Sequence, residues 1–351
     1  MGHIIVEDLV KVFRVAERAP GVWGALRGVV RRRHREVRAL DGVSFALAAG
    51  ELVGYIGPNG AGKSTTVKTL AGILVPDSGR VEVLGRVPWK DRIAHVRNIG
   101  VVFGQRTQLW WDLPVIESLD LLRHVYRVPE AQYRASRDEL IALLDLERLL
   151  DTPVRQLSLG ERMRCDLAAS LVHAPTLLFL DEPTIGLDAV SKLAVRDFVM
   201  RLNRERGVTV ILTTHDMDDI EALCRRVIVI GGGAILSDGT LDDLRSRVSR
   251  ERWLTIDVDD DSADALADPD ARLVRRDGHR VCLAFDPHQI SPAELIARVT
   301  RRFPVRDLFV ENPPIETIIA RLYGEHRAAG DAEPAAQPDE PEDEPGDGAA
   351  R

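Results

Sequence analysis

Apolar and polar residues alternate near the start of the chain in HIIVEDLV (3–10) and again in RALDGVSFALAAGELVGYIG (38–57), where a turn at Gly50 separates two strand-like runs. The pattern predicts antiparallel strands that feed one buried strand. Residues 65–73 carry helical spacing and 80–84 strand spacing, and from about 112 to 174 the pattern is mostly helical, in SLDLLRHVYRV, ASRDELIALLDLERLL and ERMRCDLAASLVH. Continuous apolar runs then return as TLLFLDE and TVILTTH, separated by the helix-like AVSKLAVRDFVMRLNRERG. Strand, helix and strand at this spacing predict parallel pairing with helices on the sheet faces. A helical insert therefore interrupts an α/β core. After VIVIGGGAILSDGTLDDLRSR the order changes: RWLTIDVD, a short helical piece, ARLVRRDG, HRVCLAFD, PAELIARVTRRF and VRDLFVEN read as β-α-β-β-α-β, a ferredoxin-like α+β unit, with a last helix at IETIIARLYGE.

The length of 351 residues exceeds the comfortable size of one core, so a main domain of about 240 residues with a smaller companion is expected. The expected division is 1–245, with the helical part at about 106–174, then 250–325 and a tail at 326–351. The tail holds eight acids (Asp331, Glu333, Asp339, Glu340, Glu342, Asp343, Glu344, Asp347) against Arg327 and Arg351, which accounts for −6 of the formal charge of −8. Its Pro, Ala, Asp and Glu composition buries too little apolar area to offset chain entropy, and it reads as disordered. The body is close to neutral, so overall acidity identifies no partner. The run GVWGALRGVVRRRHREVR (21–38) reads as an insertion. Its arginines suit lipid head groups or nucleic acid, although such runs are more often solvated loops, and no nucleic-acid partner is expected. Cys165, Cys224 and Cys282 form no C-x-x-C pair and fit free thiols in a reducing compartment. With no signal-peptide pattern and no run of about 18 apolar residues, the chain is expected neither to enter nor to span a membrane by itself.

GPNGAGKST (57–65) matches G-x-x-x-x-G-K-[ST] and sits between an apolar strand and a helix, the context a phosphate-binding loop needs. Gly60 and Gly62 let backbone amides close around phosphate oxygens, the helix start adds partial positive charge, and Lys63 neutralises the outer phosphates. Ser64 would ligate Mg²⁺. In LLFLDEP (177–183) Asp181 ends a buried apolar run, where a carboxylate is costly unless it holds a metal or a hydrogen-bonded partner. A Mg²⁺-binding aspartate meets that requirement, and Glu182 beside it would orient or deprotonate the attacking water. His215 ends the apolar strand of TVILTTHD, and Gln105 lies in VVFGQRTQLWWDLP. Neither is specific alone.

In their order and spacing, GPNGAGKST, Gln105, LSLGERMR, LLFLDEP, TIGLD and His215 resemble the nucleotide-binding subunit of an ATP-binding cassette (ABC) transporter, over residues 1–245. The wording QLWWDLP and LSLGERMRCDLAASLVH is similar to bacterial ATPases grouped with drug and viologen exporters. The resemblance implies a P-loop NTPase core with an antiparallel β subdomain and a helical insert, ATP and Mg²⁺ as ligands, and a role for each residue. Gly57, Pro58, Asn59, Gly60, Ala61, Gly62, Lys63, Ser64 and Thr65 would bind phosphate, and Ser64, Asp181 and Gln105 would surround Mg²⁺ and the water. Glu182 would be the catalytic carboxylate, His215 the contact to the γ-phosphate, and Asp188 a residue of the dimer seam. Phe13, in LVKVFRV, matches the aromatic that stacks on adenine; the other reading is simple core packing.

The signature departs from the usual L-S-G-G-Q, with Leu159 in place of a glycine and Glu161 in place of glutamine. Ser158 and Gly160 remain. They would face the ATP held at Lys63 of another chain, a second copy or a paralogous subunit. Trp110 and Trp111 suit either core packing or a groove for a cytoplasmic helix of a membrane permease. The expected protein is thus an ATPase on the cytoplasmic face of the membrane, driving transport through a separate permease, with export favoured by the narrower resemblance. A soluble ABC-type ATPase of assembly or repair is the alternative. Against the repair class, the insert lacks a long heptad coiled coil; against a translation-factor ATPase of the cassette type, which carries two cassettes in one chain, this chain has one.

Overall fold

The computed structural model describes residues 3–16, 34–104, 106–258 and 267–331. Its centre is a six-stranded sheet in the order β5-β6-β7-β3-β8-β9. In this order the strands are Ile99–Phe103, Leu177–Asp181, Thr209–Thr213, Leu52–Ile56, Arg226–Gly231 and Ala234–Thr240. All pairs are parallel except the last, where β9 closes the edge antiparallel to β8. LLFLD and TVILT are buried at every position, because a parallel sheet is covered on both faces and its strands cannot afford alternating polar residues. The carboxyl ends of β3, β6 and β7 lie side by side, with Asp181 opposite Thr213. In open parallel sheets that end is where ligands bind.

A second, antiparallel sheet has the order β2-β1-β4, formed by His34–Leu47, Ile4–Ala16 and Ser78–Val83. It packs through Ile4, Leu40, Phe45 and Val81 onto Tyr55 of β3 and Val67 of α1 (Lys63–Leu70). The basic residues from 34 to 38, expected within an inserted loop, instead extend β2 and pair with β1, Phe13 opposite Val37 and Ala16 opposite His34. Backbone pairing overrides local polarity there: the strand is exposed, so its arginines stay in water while its amides are satisfied. The rest of the run, 17–33, lies outside the described residues.

The short α2 (Arg92–Val96) precedes β5, and the helical insert follows it as α3 (Val115–Tyr126), α4 (Glu130–Leu144) and α5 (Leu159–Leu171). Leu119, Leu122, Tyr133, Leu140 and Leu144 meet Met163 and Leu167 in one apolar cluster that continues into the main sheet. The start of α5 is written in the sequence S-x-x-E. Ser158 Oγ accepts from the Glu161 amide at 3.3 Å while Glu161 Oε2 accepts from the Ser158 amide at 2.8 Å, a closed capping box. Beyond β6, α6 (Ala189–Arg206) and α7 (Met217–Leu223) flank β7 in sequence.

After α8 (Leu241–Val248) come β10 (Arg252–Val258), β11 (Ala271–Asp277), β12 (Arg280–Phe285), α9 (Pro292–Arg302) and β13 (Val305–Glu311). The sheet order is β11-β12-β10-β13 with every neighbour antiparallel, and Leu254, Ile256, Leu283 and Phe285 pack against Leu295 and Val299 of α9. The helical piece expected between β10 and β11 falls on residues outside the described set. The last helix, α10 (Ile315–Asp331), leaves this unit: Ile315, Ile318, Ile319 and Leu322 join the core of the large domain beside Leu244 of α8. Tyr323 Oη donates to the Ile230 carbonyl at 3.2 Å, at the end of β8. The small unit is therefore bracketed by helices that belong to the large core. The helix also runs through His326 to Asp331, past the expected start of the tail, and 332–351 lie outside the described residues. The three cysteines are free and buried, as expected.

Fully buried Ile318 makes α10 part of the large core. Ile318→Ala should lower the unfolding free energy of that core by about 2–5 kcal/mol, read from urea denaturation of the whole chain. An unchanged midpoint would show that the helix is only laid on the surface.

Candidate functional site

The loop GPNGAGKST joins β3 to α1, and Gly62, at φ +111°, forms the N-cap of that helix. A cavity of about 760 Å³ opens over it, lined by Phe13 and Ala39 on one side, Gly57, Gly60, Lys63 and Thr65 at the base, and Glu182 and His215 on the other side. Its size is that of a small-molecule site. Lys63 Nζ donates to the carbonyls of Gly57 at 2.6 Å and Pro58 at 3.2 Å. Burial holds Lys63 below the ordinary lysine range, an effect that Glu182 and Asp181 oppose. The loop is braced from below: Thr66 Oγ1 donates to the Gly62 carbonyl at 3.1 Å and lies 3.1 Å from Tyr55 Oη. Phe13 is half-buried and faces this cavity, with Lys11 Nζ 5.6 Å from its ring centre. It is a wall of the site and not core filling.

The acidic end of the cavity is built by three parallel strands. Asp181 Oδ1 accepts from Thr213 Oγ1 at 2.5 Å and from Ser64 Oγ at 3.3 Å, so β6, β7 and α1 converge on one carboxylate. Glu182 follows with φ +57°, a left-handed backbone that costs a non-glycine residue on the order of 1–3 kcal/mol. Its amide donates to the Thr213 carbonyl at 2.9 Å, and the Gly104 amide donates to the Asp181 carbonyl at 2.8 Å. A Cβ on Gly104 would lie 1.9 Å from the Glu182 carbonyl oxygen, so only glycine lets β5 approach here. The turn aims Glu182 at His215, whose Nδ1 lies 2.6 Å from Glu182 Oε2. A second cavity of about 360 Å³ opens on the far side of Ser64 and Glu182, with Asp181, Gly104 and Arg106 in its wall. Gln105, expected at this point, lies outside the described residues. Among the described residues no cluster of three or more His, Cys, Asp or Glu is arranged to hold a metal. Ser64 and Asp181 offer hard oxygen donors side by side.

Ser158, Gly160 and Asp188 do not line the cavity over the loop; they gather elsewhere. Asp188 caps α6, with Oδ1 accepting from the Ser191 amide at 2.9 Å and Oδ2 from Ser191 Oγ at 2.8 Å. A Cβ on Gly160 would stand 2.4 Å from Ser191 Oγ, so the start of α5 packs directly on the start of α6. Trp110 and Trp111 are 41% and 51% exposed, which sets aside the core-packing alternative for them. The Arg162 guanidinium lies 5.8 Å from the Trp111 ring centre, and the Trp111 carbonyl accepts from the Arg155 amide at 3.0 Å.

Asp166, on α5, was not singled out by sequence. Its Oδ1 accepts from Thr107 Oγ1 at 2.8 Å and the Gln108 amide at 3.0 Å, and its carbonyl accepts from Gln108 Nε2 at 3.0 Å. The segment after Gln105 is thereby fastened to the signature helix. Burial pushes the Asp166 carboxyl up to about 6 despite those hydrogen bonds. Gly104 and Thr213 also escaped the sequence reading. A glycine at a strand end directly before Gln105 and a hydroxyl closing an apolar strand are weak signals that only strand adjacency turns into a site.

Comparison with known proteins follows the same lines. The profile described as ABC transporter matches residues 40–185. The daunorubicin resistance ATP-binding protein DrrA3 of Streptomyces coeruleorubidus is 38% identical over 221 residues, covering 63% of this chain and 69% of that protein. The Nod factor export ATP-binding protein I of Rhizobium meliloti (strain 1021) is 34% identical over 299 residues, covering 84% and 86%. Among solved structures, cbiO1 from Clostridium perfringens, part of the ABC transporter complex cbiONQ, has a TM-score of 0.56 at 27% identity and covers 70% of this chain and 94% of its own. The ATP-binding cassette MJ0796, in a dimeric post-hydrolysis state bound to ADP and Pi, has a TM-score of 0.57 at 25% identity and covers 68% and 98%. No described helix is long and apolar enough to cross a membrane.

The raised Asp166 value has a stability consequence. An acid whose folded value lies above its unfolded one is best tolerated at low pH, and stability is lost as pH rises from about 4 through about 6. Asp166→Asn keeps an acceptor oxygen and removes the buried charge. Its melting temperature relative to the parent should rise between pH 4.5 and pH 7.5, and a difference independent of pH would contradict the burial of this group.

Proposed function

The chain belongs to the ABC transporter ATPases, and on that premise we propose that it pairs with a second copy or a paralogous subunit to hydrolyse ATP and drive export through a separate membrane permease. The observation that carries this reading is the pairing of Glu182 with His215 at 2.6 Å on the rim of the phosphate-loop cavity, while Ser158 and Gly160 stand outside that cavity. Phe13 stacks on the adenine, and the amides of residues 57–65 with the positive end of α1 hold the phosphates. Lys63 neutralises the outer phosphates. Ser64 and Asp181, with Gln105, fit Mg²⁺ by donor chemistry, since that ion takes few protein oxygens and leaves room for substrate phosphate and water. When bound, it neutralises charge that develops on the β- and γ-phosphates. Glu182 takes a proton from the water that attacks the γ-phosphorus, and the bond to the ADP oxygen breaks on the opposite side. His215 holds the Glu182 carboxylate in place and reaches toward the γ-phosphate.

Ser158, Gly160 and the positive end of α5 meet the γ-phosphate bound by the other subunit, with Asp188 at the seam. Residues 1–245 form the ATPase domain, which α10 rejoins, and 252–311 a ferredoxin-like unit that lengthens the dimer contact or caps the core. The exposed pair Trp110 and Trp111 supports a groove for a cytoplasmic helix of the permease, and so favours work at the cytoplasmic face of the membrane over a soluble assembly or repair role. Export is supported by the names of the relatives, one a resistance protein and one an export protein.

Glu182→Gln should still bind ATP, hydrolyse it at least about a hundredfold more slowly and accumulate as a closed dimer, seen by size-exclusion chromatography with ATP and Mg²⁺. Normal turnover would remove Glu182 from its role. Trp111→Ala should leave ATP binding by the isolated chain intact and weaken co-purification with the permease; undiminished assembly would place the docking surface elsewhere.

A further inference from the structure

Asp219, on α7, is 0% exposed, and no part of the mechanism above uses it. Its Oδ1 accepts from Arg196 Nε at 2.5 Å. On the other oxygen it receives the hydroxyl of Thr184 and, at 3.5 Å, that of Thr214. Thr184 lies two residues beyond Glu182, and Thr214 directly precedes His215. One buried carboxylate thus grips both loops that carry the pair at the rim of the cavity. The link rests on the roles given above to Glu182 and His215, and we propose that Asp219, acting through the Thr184 and Thr214 hydroxyls, is a positioning residue that holds these two as one unit for hydrolysis.

Three features support this. The left-handed backbone at Glu182 does not maintain itself: Thr213 and Gly104 fix it from the strand side, and Thr184 is the first side-chain anchor after it. A carboxylate removed from water is retained only when paired and hydrogen-bonded, and Arg196 with two hydroxyls meets that condition. The same assembly is locked to its surroundings, because Arg196 also reaches Asp216 at 3.6 Å, Lys192 pairs with Asp216, and the Asp216 amide donates to Thr214 Oγ1 at 2.9 Å. Both lysine and arginine sit on α6, whose N-cap is Asp188. The network therefore joins the seam residue, the carboxylate and the histidine through one helix. A displacement of Glu182 by a fraction of an ångström misaligns the water, and positional losses of this kind appear in turnover and not in binding.

The test removes the link without exposing the buried charge. Thr184→Val keeps the shape and leaves the Asp219–Arg196 pair in place. Its kcat for ATP, measured well below the melting transition of the variant, should fall about tenfold, with KM for ATP within about twofold of the parent, and Thr184→Ser should restore kcat. Thr214→Val should lower kcat in the same way. Parental turnover in Thr184→Val, failure of serine to restore it, or a fall that merely follows a lowered melting temperature would overturn the proposal. If Thr184→Val is normal while Glu182→Gln is inactive, only the positioning role fails. If Glu182→Gln hydrolyses at the parental rate, the reading of the site fails and takes the positioning role with it.

Discussion

The architecture turns on a close approach of backbone at the carboxyl ends of three parallel strands. Gly104 on one side and Thr213 on the other leave Glu182 a single path, with its chain turned into the left-handed region. A hydrogen-bonded sheet fixes the strand ends to within a fraction of an ångström, and this precision lets Asp181 meet Ser64 while Glu182 meets His215. The fully buried strands LLFLD and TVILT supply the rigidity. Each is covered on both faces and paired with a neighbour on both edges.

Around that point the fold separates two helix starts. The first, α1, faces the cavity beneath Phe13. The second, α5, is capped by its own Ser158 and Glu161, packs through Gly160 on α6, and is tied by Asp166 to the segment that presents Trp110 and Trp111.

The C-terminal region follows a different logic. Its four strands have a core of their own, yet α10 carries its apolar stripe back to the main core and reaches Ile230, whose carbonyl approaches within 2.4 Å of where a Cβ on Gly57 would stand. The unit is therefore not a bead on a linker. Both of its ends are rooted in the domain that holds the phosphate loop.

Much of this was legible in one dimension. Local periodicity marked the parallel strands, the helical insert and the four C-terminal strands, and glycine spacing with a lysine marked the phosphate loop, because these depend on neighbours in sequence. The S-x-x-E box at Ser158 is of the same kind. Composition does not reveal that residues 34–38 extend β2, since their pairing with β1 is made by distant residues, nor that α10 runs on to Asp331. For the same reason the pattern leaves the tryptophans open between core and surface, Gly104 and Thr213 carry only weak signals, and Asp166 and Asp219 carry none. What the sequence by itself determined was the kind of chemistry and the elements that bear it. Only the tertiary structure decided which strand ends touch, and hence which glycine must be bare and which buried carboxylate bonds the hydroxyls beside Glu182 and His215, because those contacts join residues far apart in the chain.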